Sequence, residues 1–176
     1  MPFGEMSDAQ CDLVRPVVAG RVVHDLGAGD LAMAYLLIHL GASKVVAIDK
    51  CESPAVMALK KDGPIEFHRT YHDEYLKGHW DVEVDVAFMS WPYNMLDVGM
   101  LLLAARAKTI VYLGVNVGGG ACGFPDLFHH FLTRKLEHHH QNPHNTLLVL
   151  GDELESPREP VYEERGGLEA AMLAGF

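Results

Sequence analysis

Two periods of apolar residues alternate along this chain. Nearly continuous apolar runs, "RVVHDL", "KVVAID", "VDVAFM", "TIVYLG" and "NTLLVLGD", have the length and β-branched content of buried strands. Between them, apolar residues recur at helical spacing. "LAMAYLLIHL" is closed by Gly41, "SPAVMALKK" has Ser53 as cap and Pro54 at its first position, and "NMLDVGMLLLAARA" forms a third such segment. Ahead of them, Ser7 and Gln10 make a capping-box pattern that predicts a short N-terminal helix, disturbed near Pro16. After the "DGP" turn, "IEFHRT" reads as a weaker strand and "HDEYLKG" as a short helix or loop. "PDLFHHFLTRKLEHH" predicts an amphipathic helix with Leu127, Phe128, Phe131, Leu132 and Leu136 on one stripe, and "PVYEE" is a candidate edge strand. Strands alternating with helices in this way predict an α/β fold, a mostly parallel sheet with helices on both faces.

The length, 176 residues, suits one domain: an N-terminal helix over 1–19, a core over 20–150 and an acidic segment over 151–176. Net charge is −10, and the last 26 residues hold seven acids against two arginines. Nucleic-acid backbones reward clustered Lys and Arg, and no such cluster is present, so a small molecule or a protein is favoured over nucleic acid as partner. "LAMAYLLIHL" is too short to span a bilayer and the N-terminus lacks a basic region followed by an apolar one, which gives a cytoplasmic expectation without membrane attachment. Cys11, Cys51 and Cys122 are too far apart for a disulfide framework or a zinc finger. His129 and His130 lie on the predicted helix, and His138, His139, His140 and His144 run through its end and the loop after it, where the dipole favours several of them; no metal is expected.

Chemistry concentrates at the first strand-to-helix turn, "HDLGAGDLA". In an open parallel sheet, ligands lie at the carboxyl ends of the strands. There Gly27 and Gly29 allow close backbone approach, and the next helix offers free N–H groups. Asp49 ends the second strand, where a carboxylate can accept both hydroxyls of a ribose. Gly27, Gly29 and Ala32 also satisfy the dinucleotide fingerprint, so the glycines alone leave a nicotinamide cofactor open. Asp25 shifts the balance. A carboxylate just ahead of the glycines repels a pyrophosphate and attracts a cofactor carrying an ammonium group.

In these features, "VVHDLGAGDLA" and "VVAIDK", the chain resembles the class I S-adenosylmethionine-dependent methyltransferases over roughly residues 20 to 150, with Leu31 standing where the third glycine of their first motif would lie. The resemblance implies a Rossmann-like, doubly wound seven-stranded sheet whose last strand is antiparallel, with S-adenosylmethionine as cofactor. It also implies that Asp25, Gly27, Ala28 and Gly29 hold the methionine part of the cofactor and Asp49 its ribose. Lys50 would cover the adenine edge, and a further adenine contact would fall near Tyr71 or His72. The fourth strand ends in "SWPYN", which is similar to the [D/N/S]-P-P-[Y/F] motif of aminomethyltransferases at Ser90, Pro92 and Tyr93, with Trp91 departing from it. By that resemblance these four residues face the methyl acceptor, with Ser90 also against the cofactor, and the acceptor atom is a nitrogen. An attacking nitrogen must keep its lone pair aimed at the methyl group, so its N–H groups need acceptors such as Ser90, while an aromatic ring stacks on a planar substrate. Asn116, in the glycine-rich "GVNVGGGACGF", is a further polar candidate. Two other readings stay open: a protein that binds the cofactor without transferring its methyl group, and a nicotinamide oxidoreductase.

Overall fold

The computed structural model describes residues 6–51, 53–60, 62–92, 97–114, 133–142 and 145–153. The capping box forms as the sequence predicts: Ser7 caps helix α1, Asp8–Val18, and its side chain and that of Gln10 each satisfy the other's backbone N–H. Pro16 lies inside α1 without ending it, and the helix runs to Val18. Strand β1, Val22–Leu26, leads to helix α2, Ala32–His39, and then β2, Lys44–Asp49.

Helix α3, Pro54–Met57, keeps its Ser53 cap but is a single turn. Ala55, Val56 and Leu59 are only partly buried against the core, while Met57, Ala58 and Lys60 are exposed, so little burial supports the predicted longer helix. Next come β3, Ile65–Arg69; α4, His72–Gly78; β4, Val84–Ser90; α5, Val98–Arg106; and β5, Ala107–Gly114.

The C-terminal part of the predicted amphipathic helix is corrected by β6, Arg134–Gln141, which precedes β7, Thr146–Glu153; its earlier part, with Leu127, Phe128, Phe131 and Leu132, lies outside the described residues. Arg134 and Leu136 are buried while Lys135 and Glu137 are exposed, a period of two that pairs Leu136 with Leu150 across an antiparallel ladder. His138, His139 and His140 therefore lie along a strand and not at a helix end, facing Val149, Leu148 and Leu147. Among the described residues, no three metal-ligating side chains are gathered to hold an ion. "PVYEE", His129, His130, His144, Cys122 and Asn116 lie outside the described residues.

The seven strands form one sheet in the order β3-β2-β1-β4-β5-β7-β6. The first five are parallel, and β7 runs antiparallel to both β5 and β6. Burial divides the core by face. Val23, Ala47, Val86, Phe88 and Val111 pack with α1 and α2; Leu26, Ile48, Ala87, Met89 and Ile110 pack with α4 and α5. No helix among the described residues is long and apolar enough to cross a membrane.

The layer of α4 and α5 rests on a contact that only glycine allows. A Cβ on Gly99 would meet the backbone of Asp73 and lie 2.6 Å from the carbonyl carbon of His72. Because backbone cannot rotate away, Gly99→Ala is expected to force the two helices apart, at about 2 kcal/mol and a fall in Tm of roughly 4–8 °C. Urea and thermal denaturation check this.

Candidate active site

Sheet order reverses between β1 and β4, and the crevice above this point is where an open α/β sheet receives a ligand. The turn after β1 carries Gly27 at φ 83° and Gly29 at φ 53°, backbone that side chains other than glycine adopt only with strain. The N–H groups of Gly27 and Ala28 donate to the carbonyl of Ile48 at 2.9 and 3.2 Å, which laces the turn to the end of β2. Gly29 donates its N–H to Asp49 Oδ2 at 2.9 Å, and Asp49 Oδ1 accepts the N–H of Cys51 at 2.7 Å. Thus two residues separated by 20 positions in sequence, read independently as glycine turn and ribose carboxylate, are in direct contact.

Asp25 lies fully buried on β1, its backbone in register between Ala47 and Phe88. Neither carboxylate oxygen has a hydrogen-bond partner. Burial pushes its pKa up to about 7, and the negative charges of Asp49 and Asp30 push in the same direction. A buried carboxyl without a donor is costly, and a cationic group brought to it would restore the ionised form.

Leu31 stands where the resembling first motif would carry its third glycine. It sits at φ 68° as the N-cap of α2, in the left-handed region for which glycine is the ordinary choice. Its side chain is fully buried in the core with α1 and α2, so apolar burial offsets about 1–2 kcal/mol of backbone strain. Asp30, whose Oδ1 accepts the N–H of Ala32 at 3.0 Å, supplies the local bond that Leu31 cannot.

On the far side of Asp49, Lys50 holds its Nζ 5.7 Å from the ring centroid of Tyr71, an exposed residue that caps α4. The Lys50 head thus lies over an aromatic ring of the protein itself. The neighbour of Tyr71, His72, begins α4. It is buried, with Nδ1 2.8 Å from Asp97 Oδ2. That bond from the imidazole holds the Asp97 carboxyl below its ordinary value. Asp97 was not apparent as a site residue in sequence; the one signal was its place before the apolar run of α5, where its Oδ1 accepts the N–H of Met100 at 2.9 Å.

At the end of β4, Ser90 pairs with Leu113 of β5 and is partly buried. Trp91 follows at φ 50°, its N–H donating to the carbonyl of Leu113 at 2.7 Å, and Pro92 is buried. A tryptophan in left-handed backbone directly before a proline is strained by about 1–3 kcal/mol, and such strain concentrates where ligands are held. Tyr93 lies outside the described residues. The structure therefore brings Asp25, Gly27, Ala28, Gly29 and Asp49 together at the carboxyl ends of β1 and β2. Ser90, Trp91 and Pro92 follow at the end of β4, beside β1, and Lys50, Tyr71 and His72 on the side of β3.

No family model and no curated protein matches the sequence. Solved structures do. The chain is similar to a candidate RNA methyltransferase from Pyrococcus horikoshii, with TM-score 0.62 and 17% identity over 84% of this chain and 82% of that one. It is similar to TrmK of M. capricolum in complex with S-adenosylhomocysteine, with TM-score 0.58 and 11% identity over 90% and 74% of the two chains. A third is the 1,6-didemethyltoxoflavin N1-methyltransferase of Burkholderia thailandensis, with bound 1,6-didemethyltoxoflavin and S-adenosylhomocysteine, at TM-score 0.58 and 17% identity over 84% and 80%. The seven-stranded, largely parallel sheet with its antiparallel β7 is thus the Rossmann-like fold of these methyltransferases.

Proposed function

We propose that this protein is an S-adenosylmethionine-dependent methyltransferase, a single domain acting in the cytoplasm on a nitrogen of a small molecule or a protein. One observation carries the reading: a fully buried, unpartnered carboxylate, Asp25, stands beside a glycine turn whose Gly29 is bonded to the ribose-type carboxylate Asp49. Those groups fit an ammonium, a close-lying chain and a diol, three parts that this cofactor carries. The fold shared with methyltransferases, two of them holding S-adenosylhomocysteine, supports it. The solved structures that the chain resembles differ in acceptor, one a candidate RNA methyltransferase and another acting on 1,6-didemethyltoxoflavin.

When bound, the cofactor supplies an electrophilic methyl group on a sulfonium. The protein's part is to bind and aim. Asp25 would hold the ammonium by its charge, Gly27, Ala28 and Gly29 would leave room for the methionine chain, and Asp49 would accept the ribose hydroxyls. Lys50 and Tyr71 would border the adenine, with His72 buried behind them. Ser90 accepts an N–H of the acceptor, and Trp91, Pro92 and Tyr93 wall the pocket in which a planar group lies.

Calorimetry should detect S-adenosylhomocysteine binding at micromolar concentration, about −8 kcal/mol. Absence of binding, together with a positive titration by a nicotinamide dinucleotide, would move the reading to an oxidoreductase. A cofactor-binding protein without transfer is the second reading, favoured by Trp91, whose left-handed backbone stands where the aminomethyltransferase motif has proline. Binding without methyl transfer to any acceptor class would select it.

A further inference from the structure

Helices α4 and α5 are joined by a pair of side chains, His72 and Asp97, of which the scheme above places only His72, behind the adenine, and gives the pair itself no role. His72 begins α4 and Asp97 caps α5; Nδ1 donates to Asp97 Oδ2 at 2.8 Å, since the carboxylate can only accept. The His72 residue is 7% exposed, and its Nε2 is buried with no partner. An unsatisfied buried nitrogen costs about 1–3 kcal/mol, so an apolar side chain would be the more stable occupant. Stability therefore does not account for the imidazole, and what it touches does. Asp97 uses its other oxygen to hold the Met100 N–H at 2.9 Å, and a Cβ placed on Gly27 would meet Met100 Cε at 3.5 Å. Tyr71, bordering the nucleoside side, is the N-cap of the helix that His72 begins.

We infer that His72 is a positioning residue of the cofactor site: through Asp97 it fixes the first turn of α5 against the glycine turn, and so sets the depth at which the cofactor rests. The inference depends on the methyltransferase reading. It assigns the pair a role in ligand affinity separable from its role in the fold.

The test uses the full-length protein with S-adenosylhomocysteine as probe, and reads calorimetric affinity beside Tm. His72→Leu is expected to melt within about 3 °C of the wild type or above it, while binding weakens about tenfold. His72→Asn, which can offer an amide N–H near the Nδ1 position, restores binding to within about threefold. Asp97→Ser keeps a good cap for α5 but drops the bond to His72, and is expected to weaken binding as His72→Leu does. The double variant binds no more weakly than either single one, because both remove the same link. Wild-type affinity in Asp97→Ser overturns the inference and leaves the methyltransferase reading intact, as does additive loss in the double variant. A large fall in Tm for His72→Leu with unchanged affinity in Asp97→Ser assigns the pair to the fold alone. A wild-type protein that fails to bind the probe removes reading and inference together.

Discussion

Replacing Asp25 by asparagine is expected to make the free protein more stable and nearly unable to hold S-adenosylhomocysteine. The carboxyl of Asp25 titrates at about 7 in the fold, against an ordinary value of 3.8, because it is fully buried beside Asp49 and Asp30. A folded value above the unfolded one means that full stability is present below pH 3.8 and is lost as pH rises to 7. The rise from 3.8 to about 7 corresponds to about 4 kcal/mol, an order-of-magnitude figure, felt in full at pH 8. A neutral amide in its place would escape that cost. Ligand affinity moves the other way, since the ammonium loses its counter-charge, and a drop of roughly 100-fold follows. The wild type should also release a proton on binding near pH 6, where its free carboxyl is mostly protonated. Calorimetry in two buffers of different ionisation enthalpy measures that release, and a release that persists in Asp25→Asn would refute the assignment.

His24, the preceding residue, yields the opposite slope. Both of its ring nitrogens are buried without partners on the other face of β1, beside the edge of Tyr75. Burial first, and the nearby His68 second, lower its pKa from 6.5 to about 4, against a smaller opposing pull from Asp85, Lys44 adding slightly to the fall and Glu66 opposing it. Here the neutral ring is the folded form. Stability is complete above pH 6.5 and is lost as pH falls to 4, by about 3 kcal/mol. In the wild type the two neighbours nearly cancel over that window. His24→Leu should unmask the Asp25 slope, so that stability declines from pH 4 to 7, and Asp25→Asn should unmask the reverse. Urea denaturation at intervals across pH 4 to 7.5 distinguishes them; curves of equal slope in all three proteins would show that neither group titrates as described.

Local chemistry explains what could be read from sequence. Ser7 and Gln10 announced α1 because a capping box is written within four residues, and "RVVHDL" announced β1 because both faces of a central parallel strand are apolar. The contact between Gly29 and Asp49 was legible as two motifs, since the register of β1 on β2 follows from the fold. Strand β6 was not legible. Its "RKLE" alternation is only four residues long, and Leu136 also completes a helical stripe begun by Leu127. Nor was the burial of His72, because it depends on α5 lying against α4 through Gly99, a tertiary approach that no local pattern encodes.

The sheet order also bears on how the chain is made. β7 lies between β5 and β6, although it follows both in sequence. On the ribosome, therefore, β5 emerges with one edge open, and β6 emerges with no described neighbour to pair with until Thr146–Glu153 follows. The exposed edge would carry Ile110, Val111, Tyr112 and Leu113, a template for pairing with another nascent chain. The first helix waits as well, since Gln10 donates its amide to Asn145 at 2.6 Å. Translation that stalls before residue 146 therefore leaves this edge of β5 without the strand that covers it in the finished sheet.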